Sequence, residues 1–416
     1  MLRIGRGLIR PTAALFVLLG VILAVARPSF AVDGVTDDTI TIGAFGPLTG
    51  HGAFIGLAGR DGLNLAVKQI NDAGGVNGRK IKLIVEDDAF SPTKALAAVR
   101  KLIGQDHAFM IISIAGSNST VGAIDYVRDH DVVMYVSIAS APQVTHPFSR
   151  YLFRGATNEV ARYGEVNTEF VTQVLQGKRI AILSGRDEYA KNEADQNTRL
   201  LKDWWNIEPL GRFEFNIGDK DFSPQLLQIK SLDPDVIMLS ANPAEGAIIL
   251  RQARELGLNQ SFFGGSSLVN NTVPQAAGRA AEGLTGLYNL PYIIGSTNPA
   301  MAEWEAAWKA EYPDLPPGRP NHYDVMAYSD MYVIAEAMRK AGRDLTTDSL
   351  IEALESIKDY RVSPVATPRT FTHWHHIGNL SLQPMVILNG HWIPLMWQPS
   401  HESDILRSMQ EEQKKN

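Results

Sequence analysis

From residue 38 to about 290 the chain alternates two hydrophobic rhythms. Short β-rich runs appear in TITIGAF (39–45), KIKLIVE (80–86), DVVMYVS (131–137), RIAILS (179–184) and DVIMLS (235–240). Between them apolar residues recur at helical spacing. Leu63, Ala66, Val67 and Ile70 fall at i, i+3, i+4 and i+7, one face of a helix, and Leu96, Val99, Ile103 and Ile249, Ala253, Leu256 repeat the pattern. Ser91-Pro92, Ser223-Pro224 and Asn242-Pro243 each set a capping residue before a proline suited to the first helical turn. Strand–helix alternation predicts an α/β fold of parallel sheets covered by helices. The series is too long for one sheet and runs twice, over roughly 38–155 and 158–283. A mostly helical stretch follows, broken by prolines at 313–320. The end, LQPMVILNGHWIPLM (382–396), is β-like, with Asn389-Gly390 as a hairpin turn.

The first residues follow neither rhythm. Arg3, Arg6 and Arg10 precede the uncharged apolar run Ala13–Ala26, and Ser29 and Ala31 give a small–x–small ending. That order predicts a secretory signal peptide over residues 1–31. The run is short of the roughly 20 apolar residues that span a bilayer comfortably. With no Cys there is neither a lipid-anchored form nor a disulfide nor a thiolate metal site, so stability must come from a real core, which 45% hydrophobic residues allow. A net charge of −6 is small for 416 residues and argues against a nucleic-acid partner.

The loop FGPLTGHGAFIG (45–56), between the first strand and a helix, invites a nucleotide reading and fails it. It lacks the Gly-Lys-Ser/Thr of a phosphate loop, and Gly50, Gly52 and Gly56 miss the G-x-G-x-x-G spacing. No G-x-S-x-G elbow is present. His373, His375 and His376 lack metal-ligand spacing and read as loop histidines. Asp87 and Asp88 read as caps of the following loop. No catalytic residue, cofactor or metal is expected.

Open α/β sheets hold ligands beyond the carboxyl ends of their strands. Three such ends are rich in small polar residues: 46–54, 113–120 and 136–142. A helix starting near Ser117 offers free amides and a positive dipole end to an anion, with hydroxyls from Ser117 and Ser140. No Lys or Arg lies in these segments, so neutral donors would hold a carboxylate. Gly50 and Gly52 would let the first loop approach a small ligand, with Thr49, His51 and Phe54 shaping one wall.

The stretch ITIGAFGPLTGHGAF…INDAGGVNGRKIKLIVEDD, with its GPLTG loop and KLI helix, resembles the first lobe of the branched-chain amino-acid binding proteins of ABC importers. DKDFSPQLLQIKSLDPDVIMLS, ILRQARELGL and AAEGLTG are similar to the second, so the likeness runs from about 38 to 395. The resemblance implies a type I periplasmic binding protein. It would have two Rossmann-like lobes joined by three hinge crossings, with a ligand enclosed between them. The expected division is 32–156 with 285–373 in the N-terminal lobe, 157–284 with 374–400 in the C-terminal lobe, and a tail over 401–416. A permease with cytosolic ATPases would be the partner, the periplasm the location, and the chain a monomer.

Carried across residue by residue, the carboxylate contacts fall on Ser117 and Ser140, with backbone from Ile138 and Ala139. An aromatic contact falls on Tyr189. Two positions depart. Asn242 stands where an aromatic is common, and a helix N-cap would equally explain it. Ser266 stands where the family places a carboxylate for the ligand's ammonium. A buried ammonium without a charged partner is penalised by several kcal/mol. An aromatic or keto acid, or an amide, is therefore expected beside an amino acid, unless Glu188 or Glu245 restores the charge. A ligand sensor docking on a receptor is the alternative, and a hydrolase using Ser117 or His51 the remote one.

Overall fold

The computed structural model describes residues 32–296, 298–315, 319–362, 365–401, 403–405, 407, 411 and 414. The expected signal peptide and most of the EEQKKN end lie outside the described residues. Strands are β1 (Thr39–Gly46), β2 (Lys80–Asp87), β3 (Met110–Ser113), β4 (Met134–Val136), β5 (Leu152–Arg154), β6 (Ile180–Gly185), β7 (Gly211–Phe215), β8 (Val236–Ser240), β9 (Ser261–Gly264), β10 (Thr285–Tyr288), β11 (Gln383–Leu388) and β12 (His391–Pro394). Helices are α1 (Ala53–Asp72), α2 (Pro92–Gly104), α3 (Ser117–Asp129), α4 (Val160–Gln173), α5 (Glu188–Trp205), α6 (Ser223–Leu232), α7 (Pro243–Glu255), α8 (Thr272–Ala277), α9 (Pro299–Glu311), α10 (His322–Ala341) and α11 (Thr347–Glu355).

The strands form two sheets, ordered β2-β1-β3-β4-β5 and β12-β11-β10-β9-β8-β6-β7. The first is parallel throughout, and the second is parallel from β7 to β10. The antiparallel pair β11–β12 turns at Asn389-Gly390, both at positive φ, as a two-residue hairpin requires. The central strands β3, β4, β6 and β8 are buried along their whole length, because helices cover both faces. Helix α10 returns to the first sheet and packs on α1. Gly62 makes this crossing close, since a Cβ there would lie 2.3 Å from the Asp324 carbonyl.

The expected lobe boundaries shift in two places. Thr285–Tyr288 pairs with β9 and β11 in the second sheet, so the second crossing follows Tyr288 rather than preceding residue 285. Four residues containing a glycine are too few to signal a strand. Likewise Ile377 bridges Arg154 at the edge of the first sheet, and the chain leaves that lobe near Asn379, not at 374. An asparagine on each crossing ties the three together. Asn289 Nδ2 and Asn379 Nδ2 both donate to Ala156 O, at 3.2 and 2.8 Å, and Asn158 Nδ2 donates to Ser381 O at 3.0 Å. The chain on both sides of the expected tail boundary is anchored to α4, with Ser400 Oγ donating to Glu169 at 2.7 Å and Ser403 Oγ to Glu165 at 2.5 Å.

Of the three clustered histidines, His373 is exposed while His375 and His376 pack into the fold. His376 is buried, stacks on Phe153 at 3.7 Å, and has Nδ1 2.9 Å from Leu152 O and Nε2 3.2 Å from Glu355. Burial pulls His375 down to about 4, so it is neutral at pH 7. Among the described residues no helix is long and apolar enough to cross a membrane.

Candidate functional site

Both sheets contain the order 2-1-3-4-5, in which connections leave the first and third strands toward opposite faces and open a crevice at their carboxyl ends. In the first lobe that crevice lies between β1 and β3, and in the second between β6 and β8. The two crevices meet in one cavity of about 500 Å³ of empty space, mouth included. The first lobe contributes Ile55, Phe90, Gly116, Ser117 and the loop 138–140. Tyr189, Asn242, Ser266 and Ser267 form the second lobe's wall, and Thr157 and Asn289 lie at the crossings. Tyr163 from α4, with His322, Tyr323 and Met326 from the start of α10, completes the lining, which contains no charged residue.

Contacts across the cleft hold the lobes together around this cavity. Asn118 Oδ1 accepts from Glu188 N at 2.8 Å, and Gln143 Nε2 donates to Glu188 at 3.2 Å. Ser267 Oγ and Tyr323 OH are 3.1 Å apart.

Local structure frees the polar groups of the first wall. Helix α3 begins at Ser117 with Gly116 as its N-cap, so no side chain satisfies its first amides. Ser117 Oγ is buried without a hydrogen-bond partner. Serine in such a place usually caps its helix, but here Gly116 holds the cap position and the Ser117 hydroxyl lines the cavity unpaired. Asn242 occupies the N-cap position of α7 without making the capping bond, nor does Ser91 cap α2. Ser223 lies inside α6 rather than capping it. The proline signals therefore locate the helix starts, while Asn242 faces the cavity instead of its helix.

Behind the loop 138–141 stands Arg154, fully buried. Its Nη1 donates to Ala139 O at 2.5 Å and its Nη2 to Ala141 O at 2.6 Å and Thr145 Oγ1 at 3.2 Å. Burial lowers its pKa to about 10, which leaves it charged at pH 7. A trans peptide sets N–H opposite C=O, so holding the Ala139 carbonyl turns the Ser140 N–H away from Arg154. The segment itself has no cation, yet one sits one layer behind it.

His51 and Phe54 stand outside the lining. His51 is exposed and meets Phe90 edge-on at 4.8 Å, while Phe54 packs toward Tyr323 at 6.0 Å. Successive helix residues point about 100° apart, so with Ile55 turned inward Phe54 turns aside. Gly52 of the first loop and Gly116 at the start of α3 make room for Phe90. A Cβ on Gly52 would lie 2.3 Å from that ring and one on Gly116 2.9 Å. Asp87 pins the loop by accepting from Leu48 N at 2.8 Å and Thr49 Oγ1 at 2.6 Å. Ala89 and Phe90 are both at positive φ, held by bonds from their amides to Asp87 and Asp88 at 2.8 and 2.7 Å.

Sequence reading missed Phe90 and His322. Burial pulls His322 down to about 3, so it is a neutral imidazole with Nδ1 unpartnered. Glu188 and Glu245 do not line the cavity. Glu188 bonds Gln143 and Asn192, and Glu245 accepts from Gly218 N at 3.0 Å.

A family model described as periplasmic binding protein matches residues 39–388. The chain belongs to the periplasmic binding protein family. A relative from Pseudomonas aeruginosa, named leucine-, isoleucine-, valine-, threonine- and alanine-binding protein, is 31% identical over 336 residues, 80% of this chain and 86% of its own. The leucine-binding protein LivK of Thermotoga maritima superposes with a TM-score of 0.75 at 21% identity, covering 85% of this chain and 97% of that one. The branched-chain amino-acid transporter substrate-binding protein LivJ of Streptococcus pneumoniae, solved with isoleucine, gives 0.74 at 22%, covering 86% and 100%. As in these relatives, binding rather than catalysis is this periplasmic binding protein's role.

The Phe90 support yields a pH prediction. Burial pushes Asp88 up to about 6, against the bond from Phe90 N. A carboxyl whose native pKa is raised adds stability below its unfolded value, near 3.9, and that contribution is lost as pH rises through about 6. Asp88→Asn is neutral at every pH and keeps an acceptor for Phe90 N. Chemical denaturation should find the variant more stable at pH 7 by roughly 2 kcal/mol, with the advantage gone near pH 4.

Proposed function

We propose that this periplasmic binding protein encloses a small carboxylate-bearing solute between its lobes and delivers it to the permease of an ABC importer. The observation that carries the reading is the orphaned Ser117 hydroxyl, buried beside the open N-terminus of α3 in a cavity lined by both lobes. Neutral donors at a helix start suit a carboxylate that must later be released. Ser117 and Ser140, with the backbone of Ile138 and Ala139, would hold it, while Tyr189, Asn242 and Ser266 face it from the second lobe. The name of the Pseudomonas aeruginosa relative makes branched-chain and small neutral amino acids the first candidates. The missing acid at Ser266 makes their 2-oxo acids the second. Hinge closure would bury the ligand, and residues 1–31 would direct a monomer to the periplasm.

A thermal-shift screen of the mature chain against both sets tests this. A ligand binding only the folded protein at 100 times its Kd adds about 2.7 kcal/mol, a rise of a few degrees. Stabilisation by either set supports the reading, and by neither contradicts it. Ser117→Ala should weaken the ligand roughly tenfold to a hundredfold in calorimetric titration. The apo protein's stability should hold, because that hydroxyl has no partner to lose.

A further inference from the structure

One turn beyond Tyr189 on α5, Glu193 is buried to 1% exposure. Its Oε2 accepts from Tyr189 OH at 3.1 Å and its Oε1 from Ser266 N at 3.2 Å. Among the described residues no Lys, Arg or His forms an ion pair with it. The packing is tight, since a Cβ on Gly265 would fall 2.0 Å from Oε2. A buried acid without a cation thus stands directly behind the wall formed by Tyr189, Ser266 and Ser267.

The opposite wall has the other sign. It presents the free amides of α3 and the loop that Arg154 holds. With Glu193 ionised, the field runs across a cavity whose own lining is uncharged, from the wall of the α3 amides and Arg154, partly offset by Glu159, to a negative one. A carboxylate alone fits half of that field, whereas a zwitterion fits all of it.

Tyr189 connects the acid to the cavity. Its proton goes to Glu193, and its oxygen accepts from Ser267 N at 3.1 Å and, at a long 3.5 Å, from Ser266 Oγ. A ligand N–H can replace that long contact. Donating to a carboxylate makes a hydroxyl a better acceptor, because hydrogen bonds in a chain polarise one another. We propose that Glu193, acting through Tyr189, selects ligands carrying an ammonium group beside the carboxylate. It takes the place of the acid absent at Ser266, from another element and one layer further out. Burial raises the Glu193 carboxyl's pKa, and an incoming cation would favour its ionised form.

This inference rests on a carboxylate being held in the cleft, and the test separates the two. Calorimetric titrations would compare leucine with 4-methyl-2-oxopentanoate, its 2-oxo counterpart, on the wild type, Glu193→Gln and Tyr189→Phe. The wild type should prefer leucine by about a hundredfold or more. Glu193→Gln and Tyr189→Phe should each weaken leucine at least about tenfold more than they weaken the oxo acid. A purely structural role would weaken both ligands by the same factor, and that result overturns the proposal. So does a wild type that binds the oxo acid as tightly as leucine. If neither ligand binds the wild type, the cleft reading fails and this one with it. Should Glu193→Gln not fold, Tyr189→Phe leaves the acid in place and decides alone.

Discussion

Arg319→Ala should lose about 3–5 kcal/mol of folding stability, read as a lower denaturant midpoint. Arg319 Nη2 donates to Asp61 at 2.9 Å and to Asp324 at 2.5 Å, and its Nε donates to Asp324 at 3.1 Å. Both acids are buried, and while Asp61 keeps Arg60 at 2.7 Å, Asp324 is left with no cation once the guanidinium is removed. Asp324 also accepts from Asn321 N at 2.5 Å, half of the capping box that starts α10. That start carries His322, Tyr323 and Met326 into the cavity, so ligand affinity should fall together with stability. Adding Asp324→Asn removes the stranded charge and keeps the acceptor. The double variant should therefore recover part of the loss, a coupling that two independent sites would not show.

Arg154→Ala is expected to be as severe, at about 3–5 kcal/mol, and to weaken binding beyond what the stability loss explains. Two buried carbonyls, of Ala139 and Ala141, would lose their donors, and the loop carrying Ser140 its support. Thr145 links the same guanidinium to buried Glu159, donating to Oε2 at 2.5 Å. Burial works to raise the Glu159 pKa, but His146, Arg154 and Thr145 hold it below the ordinary value. A depressed carboxylate stabilises the fold above its unfolded pKa, and that stability is lost as pH falls through the native value. The Arg154→Ala deficit should therefore be largest at neutral pH and narrow on acidification. Arg154→Lys keeps the charge but not the fork, so it should restore the Glu159 contribution more than the loop.

The architecture was legible because strands and helices here have distinct rhythms and because proline marks several helix starts. The first cavity wall was also legible, since Ser117 and Ser140 sit in short polar loops at strand ends. What escaped has specific physical causes. Phe90 enters the cavity only because two aspartates hold consecutive residues at positive φ, a conformation that EDDAF does not announce. His322 comes from a helix far along the chain, placed by the packing of α10 on α1. Glu193 lies in AKNEADQN, which reads as a solvated helix face. Yet Ala190, Glu193, Ala194, Asn197 and Leu201 share one buried stripe, and an acid on such a stripe is the signal that was available. His51 and Phe54 went the other way and stand outside the lining: Gly50 and Gly52 suggested a close ligand, whereas the close neighbour of Gly52 is Phe90.

The central claim is that both lobes hold the ligand at once. Amide hydrogen exchange with and without leucine, or its 2-oxo acid if that is the one that stabilises the chain, tests it most directly. The account predicts added protection at 114–120 and 136–142 in the first lobe together with 186–193 and 264–268 in the second. Protection confined to one lobe, or centred away from these segments, would contradict it.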